Sequence, residues 1–124
     1  MPVPILRQGD VLIASIQAAL TDQDLLQVRD ELSEKVGRFR ARGVIVDVSA
    51  LDVLDSFAIR TVRGIAYAAR LRGARTVVVW IQPDVAFAMV QLGLTLEGVA
   101  TALDLDEGLA LLRQEAPRGS RHGV

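Results

Sequence analysis

The residues with the most obvious chemical potential lie in one short stretch, Asp47 to Ser56, where three aspartates and two serines follow an apolar run. Asp47, Asp52 and Asp55 crowd the end of what reads as the third strand, and in open α/β sheets that end is where ligands gather. Aspartates so placed suggest a phospho-accepting carboxylate with a bound Mg²⁺. Such a site also needs an acidic pair after an earlier strand, and here that position reads Ser15-Ile16-Gln17. It further needs a lysine after the last strand, and Lys35 is the only lysine. The ordinary use of these aspartates is as turn and cap residues, so no metal site is expected.

Ser56 stands where the loop feeds a helix, and either Asp55 or Ser56 is placed to cap it. A phosphate on that hydroxyl would add about −1.5 to −2 charges at one point. The helix dipole and free N–H groups would favour it, while Asp55 would repel it. Ser56, Arg60, Arg63, Tyr67 and Arg70 follow at steps of four, three, four and three, which puts them on one helical face. Arg60 could pair with the phosphate, and Arg63 and Arg70 would offer a basic strip to a partner. A merely solvated face has the same pattern.

Several chemistries are excluded by what the chain lacks. It has no cysteine, hence no disulfide, thiolate metal site or cysteine nucleophile. Its single histidine, His122, falls in a terminal stretch, so no Ser-His-Asp triad or two-histidine metal site is available. No glycine loop is followed by Lys-Ser or Lys-Thr. Fourteen basic and fifteen acidic residues leave a net charge of −1, which gives no bulk pull toward nucleic acid or an anionic membrane. Arg38, Arg40 and Arg42 cluster without aromatic residues to stack bases. Uncharged stretches such as Val11–Thr21 are too short to span a bilayer, and the first residues carry no signal-peptide pattern, so a cytoplasmic location is expected.

The elements that position these residues are legible from periodicity. With 124 residues and 51% hydrophobic composition, one domain with a sizeable core is expected over residues 1–115, followed by a flexible tail over 116–124. Val3–Leu6 and Val11–Ser15, parted by Gln8-Gly9-Asp10, predict a hairpin. Thr21 and Asp24 resemble a capping box, and Leu25, Val28, Leu32, Val36 and Phe39 mark the apolar face of a helix closed by Gly43. Val44–Val48 predicts a strand covered on both faces. A helix over Ser56–Leu71, with Ile59, Val62, Ile65, Ala66 and Ala69 inward, leads to a strand over Thr76–Ile81. Pro83 opens a third helix that stops at Gly93, in which Phe87 and Met89 read as core or subunit contact. Gly98–Ala102 gives a weak strand, and Asp104–Gln114 a last helix with Leu105, Leu109 and Leu112 inward. The order ββαβαβαβα predicts one mixed five-stranded sheet with four helices.

Motifs in this order resemble the STAS-domain family, which includes anti-sigma factor antagonists. The resemblance rests on Leu12-Ile13-Ala14-Ser15-Ile16-Gln17, Asp55-Ser56-Phe57, Ile81-Gln82-Pro83, Leu92-Gly93-Leu94 and Thr101-Ala102-Leu103-Asp104-Leu105. Within the family it is similar to the RsbS type, the small scaffold component of the bacterial stressosome. The resemblance implies a STAS-like fold and a non-enzymatic, cofactor-free role. It implies phosphorylation of Ser56 by an RsbT-type serine kinase, with Asp55, Phe57, Arg60 and Arg63 in the surrounding partner-binding surface. It further implies self-association in a large assembly with an RsbR-type co-antagonist, sequestration of the kinase until Ser56 is phosphorylated, and resetting by a PP2C-type phosphatase. Neither nucleic acid nor membrane is among the implied partners. RsbR-type proteins carry a second phosphorylatable threonine in the third helix, whereas Val85-Ala86-Phe87-Ala88-Met89 holds no hydroxyl. The alternative within the same family is an antagonist acting directly on an anti-sigma kinase. An aspartate-centred enzyme is the alternative outside it, and no lysine, histidine or cysteine is placed to complete that site.

Overall fold

A computed structural model describes residues 3–17, 20–52, 54–93, 96 and 98–121. The elements in order are β1 (Ile5–Gln8), β2 (Val11–Ser15), α1 (Asp22–Phe39), β3 (Gly43–Asp47), α2 (Ser56–Leu71), β4 (Arg75–Val79), α3 (Pro83–Leu92), β5 (Ala100–Ala102) and α4 (Leu105–Arg121). They form one sheet in the order β1-β2-β3-β4-β5, with β1 antiparallel to β2 and all other neighbours parallel. This is the expected mixed sheet with four helices.

A two-residue turn, Gly9-Asp10, joins β1 to β2, and Gly9 at φ 63 supplies the positive φ that such hairpins ask of their first turn residue. From β2 onward each strand neighbours the next in sequence. Right-handed crossovers advancing in one direction must place successive helices on one face. Accordingly α1 and α2 pack together over a core of Leu12, Ala14, Val44, Val46 and Val78. Only α4, the terminal helix, lies on the other face, over Val11, Ile13, Ile45, Val77 and Val79. Alternate residues of β3 and β4 thus enter different cores, which is why these strands read as unbroken apolar runs. A third cluster, Leu54, Ala58, Ile59, Val85 and Met89, pins the start of α2 against α3.

Local signals set the helix ends. The Thr21 side chain accepts from Asp24 N–H at 3.1 Å, and the Asp24 carboxylate accepts from Thr21 N–H at 3.0 Å, completing the capping box. The backbone N–H of Thr21, and then its side chain, hold the Asp24 carboxyl below its ordinary pKa. At the other end α1 stops at Phe39 rather than running to Gly43, because Arg40 turns left-handed at φ 52 and returns its N–H to the Val36 carbonyl. Gly43 instead opens β3, where a side chain would meet Leu112 of α4 at 2.5 Å.

Other boundaries differ by similar amounts. The first strand begins at Ile5, and β3 ends at Asp47 instead of Val48. The expected Thr76–Ile81 strand ends at Val79, because Trp80 adopts φ 64 and cannot continue it. Gly98, at φ 76, lies before β5, which has three residues. The last helix runs to Arg121 instead of Gln114, through part of the stretch expected as a tail. Residues 122–124, including His122, and Leu94 of the motif at Leu92 lie outside the described residues. Of the two residues assigned to core or subunit contact, Met89 is buried and Phe87 is exposed.

Because the helices follow parallel strands, their N-termini collect at one end of the sheet and their C-termini at the other. Charge follows the same division. The first end holds Asp22 and Asp24, Asp47 at the close of β3, Asp84, and Asp106 with Glu107. Arg38 of α1 with its C-cap Arg40, Arg70 of α2 with its C-cap Arg72, and Arg42 just before β3 stand at the opposite end, where Asp10 of the β1–β2 turn is the acidic exception.

Candidate functional site

The site grows from the C-terminal end of β3. Past Asp47 the chain holds its course for one residue, with Val48 N–H donating to the Val79 carbonyl at 3.2 Å. It then bends, as Asp47 Oδ1 accepts from Ser49 N–H at 2.8 Å, an aspartate closing its own turn. The loop is tied across the fold by Gln82 Nε2, which donates to the Ser49 carbonyl at 2.7 Å. This contact uses the residue just before Pro83 to fasten the β3–α2 loop to the start of α3. Buried Leu54 then fixes where α2 begins.

Asp55 is the N-cap of α2. Its backbone is extended at φ −81 and ψ 176, and Oδ1 accepts from Ala58 N–H at 2.8 Å. Of the two caps the sequence allowed, the structure uses Asp55, which leaves the Ser56 hydroxyl exposed on the first helical residue. Phe57 is half-buried behind it, and its carbonyl accepts from Thr61 Oγ1 at 2.9 Å. Arg60, Tyr67 and Arg70 are exposed and Arg63 is half-buried. Ile59, Val62, Ile65, Ala66 and Ala69 face the core. Among the described residues no carboxylate pairs with Arg60, Arg63 or Arg70.

The three aspartates do not converge. Asp47 and Asp55 are each engaged by a nearby backbone N–H, and Asp52 is exposed. No group of three or more histidine, cysteine or acidic side chains is gathered among the described residues. The strand order also never reverses, so the sheet lacks the switch-point crevice where small ligands sit in doubly wound folds. What this end of the molecule presents is an exposed surface around a capped helix start.

The STAS domain family matches residues 3–108. The chain belongs to that family. Two solved structures share more than a third of its residues. A variant of RsbS from Moorella thermoacetica, with glutamate replacing one serine, is 37% identical over 93% of this chain and 97% of that one, with a TM-score of 0.79. A chain in a structure of the stressosome, described as a signal integration and transduction hub, is 38% identical over 91% of this STAS domain and 98% of that chain, with a TM-score of 0.76. The RsbT co-antagonist protein RsbRA of Bacillus subtilis (strain 168) is 23% identical over 100 residues, 81% of this chain. This STAS domain spans 36% of the length of that relative. No described helix is long and apolar enough to cross a membrane.

Sequence reasoning missed two features of this end. The Gln82–Ser49 contact joins residues 33 positions apart, and nothing local announces it. Trp80 is the sole tryptophan and sits at a strand end in a left-handed conformation. Its bulk just before Ile81-Gln82-Pro83 was the available signal.

Proposed function

We propose that this STAS domain is a non-enzymatic scaffold and antagonist of a stressosome-type assembly, holding an RsbT-type serine kinase until Ser56 is phosphorylated. The observation that carries the reading is the exposed Ser56 hydroxyl at the first residue of α2, just after the Asp55 cap. Likeness to an RsbS and to a stressosome chain over nearly the whole length supports it. In the first of these structures a serine is replaced by glutamate, a substitution that mimics added negative charge.

Phosphorylation would move the chain from a net charge of −1 to roughly −3 and concentrate the change beside Asp55. Arg60, one turn on, is the nearest cation along the helix face. Pairing with the phosphate would withdraw Arg60 from a docked kinase, and a like-charge contact would weaken docking directly. Asp55, Phe57, Arg60 and Arg63 would form the docking surface. An RsbR-type co-antagonist and other copies of this chain would complete a cytoplasmic assembly, and a PP2C-type phosphatase would restore the serine.

The decisive experiment co-purifies an RsbT-type kinase with this chain and an RsbR-type partner, using wild type, Ser56→Ala and Ser56→Asp. Ser56→Ala should retain the kinase in a large particle, and Ser56→Asp should release it with the fold intact by circular dichroism. Equal capture by both variants would refute the switch. A chain that stays monomeric beside an RsbR-type partner would favour a direct anti-sigma antagonist.

A further inference from the structure

The two ends of the sheet differ in charge by more than helix dipoles require. Helix termini account for Asp22, Asp84, Arg38 and Arg70, since acids favour N-termini and bases C-termini. They do not account for exposed Asp52 in the β3–α2 loop, nor for exposed Arg42 beyond α1.

Each end also exposes large apolar groups. At the acidic end Val79 pairs with Ala102, so Trp80 and Leu103 leave neighbouring strands side by side. Trp80 is 48% exposed and Leu103 is 76% exposed. A bulky residue at φ 64 is strained, and such strain persists only where the surroundings impose it. At the basic end Leu71 is 71% exposed between Arg70 and Arg72. The Arg72 guanidinium occupies the space a side chain at Gly37 would fill, which joins this group to the last turns of α1. Apolar centres inside charged rims, with Trp and Arg prominent, are the anatomy of protein interfaces.

We infer that copies of this chain dock end to end, the acidic Trp80–Leu103 end of one against the basic Leu71–Arg72 end of the next. Charge complementarity selects this occupant, because the chain carries both halves of the match on opposite ends. The contact is heterologous, so a pair leaves one acidic and one basic end open. Growth therefore continues past the dimer until a ring closes or a filament forms. The inference rests on the self-association in the proposed function and names its surfaces; Asp55 and Ser56 start α2 at the same acidic end, so a neighbouring copy and a docked kinase would meet there.

The test is sedimentation of the full chain over a range of concentrations, with the emission of its single tryptophan recorded in parallel. At about 0.1 M salt the mass should rise beyond two subunits while the emission shifts to shorter wavelength. At about 1 M salt, where the screening length falls from about 10 Å to about 3 Å, both changes should reverse. Arg40→Glu with Arg42→Glu, and separately Asp52→Lys with Asp84→Lys, should each weaken association at least about tenfold, and mixing the two double variants should restore it. Trp80→Gly suits the backbone at that position and should stay folded while losing association. A chain that remains monomeric at low salt would overturn the inference. So would association untouched by both charge reversals, which would place self-association on another face and leave the kinase switch standing, or by Trp80→Gly.

Discussion

The cap at Asp55 supports the first turn of α2, and two substitutions separate its hydrogen bond from its charge. Asp55→Ala removes the acceptor for Ala58 N–H, a 2.8 Å bond, together with a negative charge at the positive end of the helix. Asp55→Asn removes the charge and keeps an oxygen able to accept. Loss of a cap costs about 1 kcal/mol within a range of about 0.5–2. Loss of the charge–dipole interaction at an exposed site costs about 0.3–1 kcal/mol. The alanine variant should therefore lose about 1.5 kcal/mol and the asparagine variant about 0.5. For a domain of this size a kcal/mol corresponds to about 3–6 °C, so Asp55→Ala should melt about 5–9 °C lower and Asp55→Asn about 2–3 °C lower. Thermal unfolding followed by circular dichroism gives both numbers. Amide exchange at Ala58 should accelerate in the alanine variant alone, because only there does that N–H lose its acceptor. Equal melting of the two variants would refute the hydrogen-bond argument, and an unchanged Asp55→Ala would refute the capping role altogether.

Two further outcomes follow from buried and capped groups elsewhere. Thr76 is 4% exposed and its hydroxyl has no hydrogen-bond partner among the described residues, so Thr76→Val should stabilise the chain by about 1 kcal/mol and raise the melting point by about 3–6 °C; a lower melting point would show that the hydroxyl is satisfied. The Asp24 carboxyl is held below its ordinary pKa in the folded chain, so its contribution is present above the unfolded value of about 3.9 and is lost as pH falls through the folded one. Wild type should accordingly exceed Asp24→Asn in urea midpoint at pH 7, and the gap should close in strong acid; a gap independent of pH would contradict that account.

Most of the architecture was written in local patterns. The Thr21–Asp24 box, the three-and-four spacing from Leu25 to Phe39, and Pro83 with Gly93 around α3 are signals of short range, and the helices begin where they say. Strand boundaries were less legible because left-handed residues set two of the turns. Glycine announces such a turn, as at Gly9, but Arg40 and Trp80 adopt one without it, so residue type gives no sign of either. At the candidate site, the shared face of Ser56, Arg60 and Tyr67 could be read from spacing alone. The choice of Asp55 over Ser56 as cap could not, because both side chains are able to accept and only the backbone geometry distinguishes them. The tether from Gln82 to Ser49 is a tertiary contact, invisible to any window along the chain.

The edges of the sheet bear on how the protein survives crowding. An unpaired strand edge is a template on which other chains can crystallise into fibrils. Here one edge is β5, only three residues long, and the other is β1, four residues long with exposed Arg7 and Gln8. Neither offers the long, flat, apolar border on which sideways zippering propagates. Edges this short limit sideways strand pairing between copies of the chain.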